Sequence, residues 1–258
     1  MKFNDLFYLL CDYAPLSLSK ELCERDGLHD NSGVILSTDR EVKSVLFTLD
    51  LSRASAAKAK ELGCDAIVTH HPAIYRPIYS LKEGDPLLSC ARDGVGVISM
   101  HLNFDAARYG IDYYLAEGLG ATEQKIAEVL GENVGYGRLF DLPDISFETL
   151  KKRYENNFNT KKVWLYGDKH AIIHKVATFC GAGLDPAAIS FASENGADVV
   201  VSADISHHVL TAALEEGLGV LSCTHYATEN YGLKKIAETF RDRLQTIKIY
   251  FFEDETYL

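Results

Sequence analysis

Short apolar runs recur along this chain, each followed by a stretch of helical periodicity and a glycine that punctuates the next run. "SVLFTLD" leads into "ASAAKAKELG" and then "DAIVTHH"; "LLSCARDG" precedes "VGVISMH". The pattern returns later as "KVATFC", "AAISFASENG", "DVVVSAD", "HVLTAALEEG" and "LGVLSCTHY". Strands this short and this uniformly apolar are buried on both faces, and helices between them supply the crossovers of a parallel sheet. The alternation therefore predicts an α/β protein with largely parallel sheets. Between about 133 and 170 the chain is more polar and carries a solvated helix, "SFETLKKRYENNF". A last helix, "YGLKKIAETFRDRL", and a strand, "TIKIYFFE", close the sequence.

The two halves resemble each other. "ELGCDAIVTHH" matches "ENGADVVVSADISHH", and "DGVGVISMHLNFD" matches "EGLGVLSCTHYATE". Each half runs helix, glycine, strand, histidine pair, helix, glycine, strand, and then a histidine followed four residues later by an acid. We expect two pseudo-repeated lobes, residues 1–130 and 131–258, with a soft boundary and the option of intertwining.

Six of the nine histidines sit at or just after the ends of predicted strands: His70, His71, His101, His207, His208 and His225. In open parallel sheets the carboxyl ends of the strands border the ligand crevice. His101 has Asp105 four residues on, and His225 has Glu229, a spacing that on a helix puts both side chains on one face. Imidazole with carboxylate and no thiolate suits Zn, Fe, Mn, Co or Ni. In "VTHHPAIYRP" (68–77) adjacent strand residues would point to opposite faces, but Pro72 ends the ladder and lets the backbone turn. His70 and His71 can then serve two neighbouring ions, so the residues predict a dinuclear site. His29, His170 and His174 lie outside these clusters. "CGAGLDP" lacks the Walker lysine and reads as a tight turn rather than a phosphate cradle.

Composition narrows the function classes. With 26 basic and 37 acidic residues the net charge is −11, which disfavours general binding to nucleic acid. The N-terminal "MKFNDLFYLLCDYAP" reads as an amphipathic helix rather than a signal peptide, and no apolar run is long enough to span a bilayer. Six cysteines form no CxxC pair and several lie in apolar runs, as buried thiols do. A cytoplasmic protein is expected.

In order along the chain, "DNSGVIL", "VTHHPAIYRP", "HLNFD", "YGRLFDL", "CGAGLDP", "ADISHH" and "CTHYATE" resemble the motifs of the NIF-three-like proteins, often labelled GTP cyclohydrolase type 2 homologues. The resemblance spans nearly the whole chain. It implies a two-lobed α/β fold, two divalent metals in the cleft between the lobes, and a ring-shaped homo-hexamer. The ligands it implies are His70, His71, Asp105, His225 and Glu229, with Glu229 as the bridge. His101 would sit beside the metals and His208 would line the same cavity. The chain departs from the family at Ala203, where glycine is usual, and in "HLN" for "HTN", and the stretch from 130 to 170 has no room for the extra domain of longer relatives.

Two activated ions imply a hydrolase acting on a nucleotide-like or other small-molecule substrate, with His101 or His208 moving the proton. The family label points to ring opening in GTP. Few Lys or Arg residues neighbour the motifs, Arg76 and Arg108 being the nearest, so no triphosphate cradle is visible. The alternative is a non-catalytic metal-binding or metal-trafficking scaffold that works through protein partners.

Overall fold

A computed structural model describes residues 1–257. In chain order the elements are α1 (Phe3–Tyr13), α2 (Leu16–Asp26), β1 (Gly33–Leu36), β2 (Ser44–Thr48), α3 (Arg53–Glu61), β3 (Ala66–Thr69), α4 (Pro86–Asp93), β4 (Gly96–Ser99), α5 (Leu102–Ala106) and α6 (Ile111–Leu119). They continue with β5 (Lys125–Gly131), β6 (Val134–Ser146), α7 (Phe147–Asn157), β7 (Trp164–Tyr166), β8 (Ile172–Thr178), α8 (Pro186–Glu194), β9 (Val199–Ala203), α9 (His207–Glu215), β10 (Gly219–Cys223), α10 (His225–Arg243) and β11 (Lys248–Phe252). The chain divides into two compact units. The first is Met1–Gly110 with Leu233–Asp254; the second is Ile111–Gly232 with the C-terminal residues from Glu255.

The first unit is built on a sheet of order β1-β4-β3-β2-β11. β4, β3, β2 and β11 run parallel, and β1 pairs antiparallel with β4. Every residue of β2, β3 and β4 is buried, as strands covered on both faces must be. One face carries Leu46, Ile67 and Val97 against Ala56 and Ala59 of α3 and Cys90 of α4. Phe47 meets Phe240 of α10 at 5.7 Å between ring centroids, and Phe240 meets Tyr13 of α1 at 5.4 Å.

The second unit has a sheet of order β5-β6-β8-β9-β10-β7. Its middle strands β8, β9 and β10 are parallel, whereas β5 with β6, β6 with β8, and β7 with β10 are antiparallel. The antiparallel share exceeds what the helix–strand alternation predicts. It comes from the polar middle of the sequence, where β5 and β6 form a hairpin turning at Asn133, a residue with φ of +61°. β6 loses its register between Asp141 and Ile145, a stretch holding Pro143, which cannot donate to a ladder. Phe179, Ile189, Val200, Val209 and Val220 form the core between this sheet and α8 and α9. Tyr154 and Phe158 of the α7 region stack at 4.2 Å.

The internal repeat of the sequence corresponds to a repeat of structure. β2-α3-β3-α4-β4 in one unit and β8-α8-β9-α9-β10 in the other each make three adjacent parallel strands in sequence order. Register then aligns the strand ends: Thr48 with Thr69 and Thr69 with Ser99 in the first sheet, Ala203 with Cys223 in the second. The residues that leave those ends carry the polar chemistry of each unit.

Candidate metal centre

In the first unit the histidine pair sits just past β3. The amide of His70 donates to the carbonyl of Thr48 at 3.1 Å, and that of His71 to Leu49 at 2.9 Å. Consecutive amides bonding to one neighbouring strand break the alternation of a regular ladder, in which successive residues face opposite ways. Thr69 Oγ1 secures the turn by donating to the carbonyl of His71, and Ser99 Oγ accepts from the amide of Ala73. As a result the two rings lie 5.0 Å apart. His101, leaving β4, joins them at 5.2 Å from His70 and 5.7 Å from His71. One ligand atom from each of these three rings falls within 4.8 Å of the others.

The rings are held from behind. His70, with 0% exposure, donates from Nδ1 to the carbonyl of Met100 at 3.1 Å. A carbonyl only accepts, so the proton is on Nδ1 and the lone pair is on Nε2. His71 Nδ1 pairs with Asp50 Oδ1 at 2.7 Å, and His101 Nδ1 with Asp30 Oδ1 at 3.0 Å. Burial works against the charge on Asp30, but hydrogen bonds from His101 and Ser32 outweigh it and hold the carboxyl at about 2. Asp30 is thus an anion at neutral pH and an acceptor for the imidazole N–H. Partners of this kind fix the tautomer of ligating histidines and raise their basicity.

Asp105 is buried in the single turn of α5, whose N-cap is His101. Its Oδ1 lies 3.5 Å from His70 Nε2. That is long for a hydrogen bond and suits two atoms ligating one ion at roughly 2.0–2.2 Å each.

The second unit repeats the theme on β9 and β10. His225 opens α10; its Nδ1 lies 2.7 Å from Asp204 Oδ2 and its Nε2 2.9 Å from Glu229 Oε1. The spacing of four places both side chains on one helix face, as the sequence requires. Glu229 is 3% exposed. Asp204 takes up its position with φ of +48°, in the left-handed region where Asp is one of the few tolerated non-glycine residues. His207 and His208 are exposed on the first turn of α9, with the His208 ring 3.1 Å from Ser206 Oγ.

The donor set fits a divalent ion: grouped imidazole nitrogens, buried carboxylates and no thiolate. Buried His, Asp and Glu groups of this chain therefore have the chemistry to hold metal. The expected clusters around His70, His71, His101 and Asp105, and around His225 and Glu229, are each assembled within their own unit.

Sequence reasoning missed Asp30, Asp50 and Asp204 as partners of His101, His71 and His225. Asp50 and Asp204 follow the ends of parallel strands, so the rule that singled out the histidines would have found them had it been applied to acids. Asp30 lies at no predicted strand end; its signal was its place at the head of the "DNSGVIL" motif. It precedes the edge strand β1, and only the antiparallel pairing of Gly33 with Ser99 brings that segment to the end of β4.

Comparison with known proteins bears on the fold and the family. A protein from Clostridium perfringens named GTP cyclohydrolase 1 type 2 homolog is 28% identical over 95% of this chain and 94% of its own length. A protein of the same name from Methanocaldococcus jannaschii is 30% identical over 95% of this chain and 96% of its own. The crystal structure of a Bacillus cereus protein related to NIF3 superposes with a TM-score of 0.86 at 16% identity, covering 100% of this chain and 98% of the other, a likeness of fold. The family model for Duf34/NIF3 (NGG1p interacting factor 3) matches residues 1–257, and the chain belongs to that family.

Proposed function

We propose that this protein holds two divalent ions per chain and uses them to hydrolyse a nucleotide-like or other small molecule. The proposed ligands are His70, His71, Asp105, His225 and Glu229, with Glu229 the bridging carboxylate. The observation that carries the reading is the orientation of the imidazoles. Each directs Nδ1 at an acceptor behind it, Met100, Asp50 or Asp204, which turns Nε2 of His70 toward Asp105 at 3.5 Å and Nε2 of His225 toward Glu229 at 2.9 Å. Structural histidines have no need of that uniformity.

When bound, a pair of such ions supplies a water acidified toward neutral pH and a clamp for developing negative charge. The chain's own residues supply the rest. Asp30 accepts from Nδ1 of His101, so His101 exchanges protons through Nε2, beside His70 and His71. His101 is the proposed general acid, delivering a proton to the leaving group; His208 is the second candidate. Removing such a group costs about 10²–10⁴-fold in rate. The names of the relatives make GTP the first substrate to test.

Among the described residues no helix is long and apolar enough to cross a membrane, and the six cysteines are free thiols, which supports a reducing, cytoplasmic setting. A homo-hexameric ring is part of the proposal through the family resemblance, and light scattering of the purified protein measures it.

Elemental analysis of protein purified without affinity metals or chelators is the test, with Glu229→Ala beside it. We expect about two ions per wild-type chain, falling sharply in the variant. Protein that is metal-free and cannot be reloaded overturns the reading. Nucleotides, phosphoesters and amides are then screened with the native ion. Turnover that vanishes in His101→Ala while metal is retained supports a hydrolase; metal without turnover on any of these points to the scaffold instead.

A further inference from the structure

The second unit contains a buried ion pair that the metal reading leaves unused. Asp112, in the first turn of α6, is 0% exposed, and Arg138 on β6 is 2% exposed. Arg138 Nη1 lies 3.4 Å from Asp112 Oδ2 and donates to the carbonyls of Gly135 at 2.7 Å and Gly137 at 3.0 Å. Taking both charges out of water costs more than a well-packed apolar pair would, so stability alone is a poor reason for this pair to be here.

The other oxygen of Asp112 indicates a role. Oδ1 accepts from the amide of Cys180 at 3.2 Å. Cys180 and Gly181 form the turn that leaves β8, and the turn is fixed at every backbone group. Tyr136 Oη donates to the carbonyl of Cys180, the amide of Gly181 donates to Thr228 Oγ1 at 3.0 Å, and the carbonyl of Gly181 accepts from the amide of Ala203 at 3.0 Å. Thr228 directly precedes Glu229 on α10. Gly181 has φ of +57°, and a Cβ there would collide with Glu229 Oε1 and stand 3.2 Å from His225 Nε2. The turn is a wall in van der Waals contact with the His225–Glu229 pair.

We infer that Asp112, held by Arg138, is a positioning residue for the metal-binding pair His225–Glu229, acting through the Cys180–Gly181 turn. The logic is that of outer-shell support: a ligand carboxylate binds well only when its surroundings keep it in one place. A charged acceptor grips the Cys180 amide more strongly than a neutral one, and Arg138 keeps that acceptor charged and in register with β6. This assignment rests on the metal reading above.

Co²⁺ is titrated into metal-stripped wild type, Asp112→Asn, the double variant Asp112→Leu/Arg138→Met and Leu150→Ala, with absorbance of the bound ion as readout and urea unfolding in parallel. Leu150 is a fully buried residue of α7 and serves as a stability control. We expect Asp112→Asn to bind Co²⁺ about 10–100-fold more weakly. The double variant removes both buried charges, so it regains stability while its affinity stays low, and Leu150→Ala loses stability with its affinity unchanged. Wild-type affinity in either Asp112 variant, or affinity that follows stability across all four proteins, overturns the inference and leaves the metal reading standing. A wild type that takes up no Co²⁺ sinks both, which is a different result.

Discussion

Asp50 behind His71, Asp30 behind His101 and Asp204 behind His225 make three histidine–carboxylate pairs in which the acid is the quieter partner. Each holds Nδ1 and with it the ring plane, which a lone imidazole with two free torsions does not do. Asp50→Asn keeps an acceptor in place but removes its charge. Metal affinity is expected to fall about 10–100-fold while the thermal midpoint of the apo protein hardly moves, measured by titration and by scanning calorimetry. Gly181 is limited in another way. Alanine there has to occupy a left-handed conformation and push against Glu229. Gly181→Ala should cost about 1–2 kcal/mol of stability from the backbone alone and lower the metal content disproportionately. Equal metal content in wild type and variant would show that Glu229 adapts.

At the scale of elements, the apolar runs that announced β2, β3, β4 and β9 were legible because strands buried on both faces hold consecutive apolar residues at their centres. The β5–β6 hairpin was not legible. Its partly exposed residues mix polar and apolar without a clean period, and its pairing with β8 is decided across the sheet. "CGAGLDP" is a turn that feeds α8, whose N-cap Asp185 accepts from the amide of Ala188 at 2.8 Å. The helix terminus is thereby occupied by its own carboxylate, in keeping with a plain turn rather than an anion cradle. Asp185→Ala should cost about 1 kcal/mol in urea unfolding and leave metal binding alone. A much larger loss would mean that Asp185 supports more than α8.

For the whole molecule, the buried Asp112 sets a pH signature. Burial pushes its carboxyl up to about 6, against the pull of Arg138, from an ordinary value of 3.8. Between pH 4 and 6 the native state therefore keeps a proton that the unfolded chain has released. Stability contributed by this group is complete below pH 4, declines as pH rises toward 6 and is level above that. Urea midpoints of wild type, taken at intervals from pH 4 to 7, should fall relative to those of Asp112→Asn as pH rises toward 6 and run parallel to them above it. Parallel curves throughout would place the Asp112 titration elsewhere.

By itself the sequence determined the class of fold and the internal repeat and singled out the His-x-x-x-acid pairs, because strand burial, helix punctuation and that spacing are local properties of the chain. The tertiary structure decided what depends on distant segments meeting. It placed Asp30 behind His101 through β1 pairing with β4, and brought β11 back to pair with β2. It also set Asp112 against the Cys180 amide. A short polar residue in a loop or first turn reads the same whether solvent or a buried amide faces it, and only the packing of sheets and helices says which.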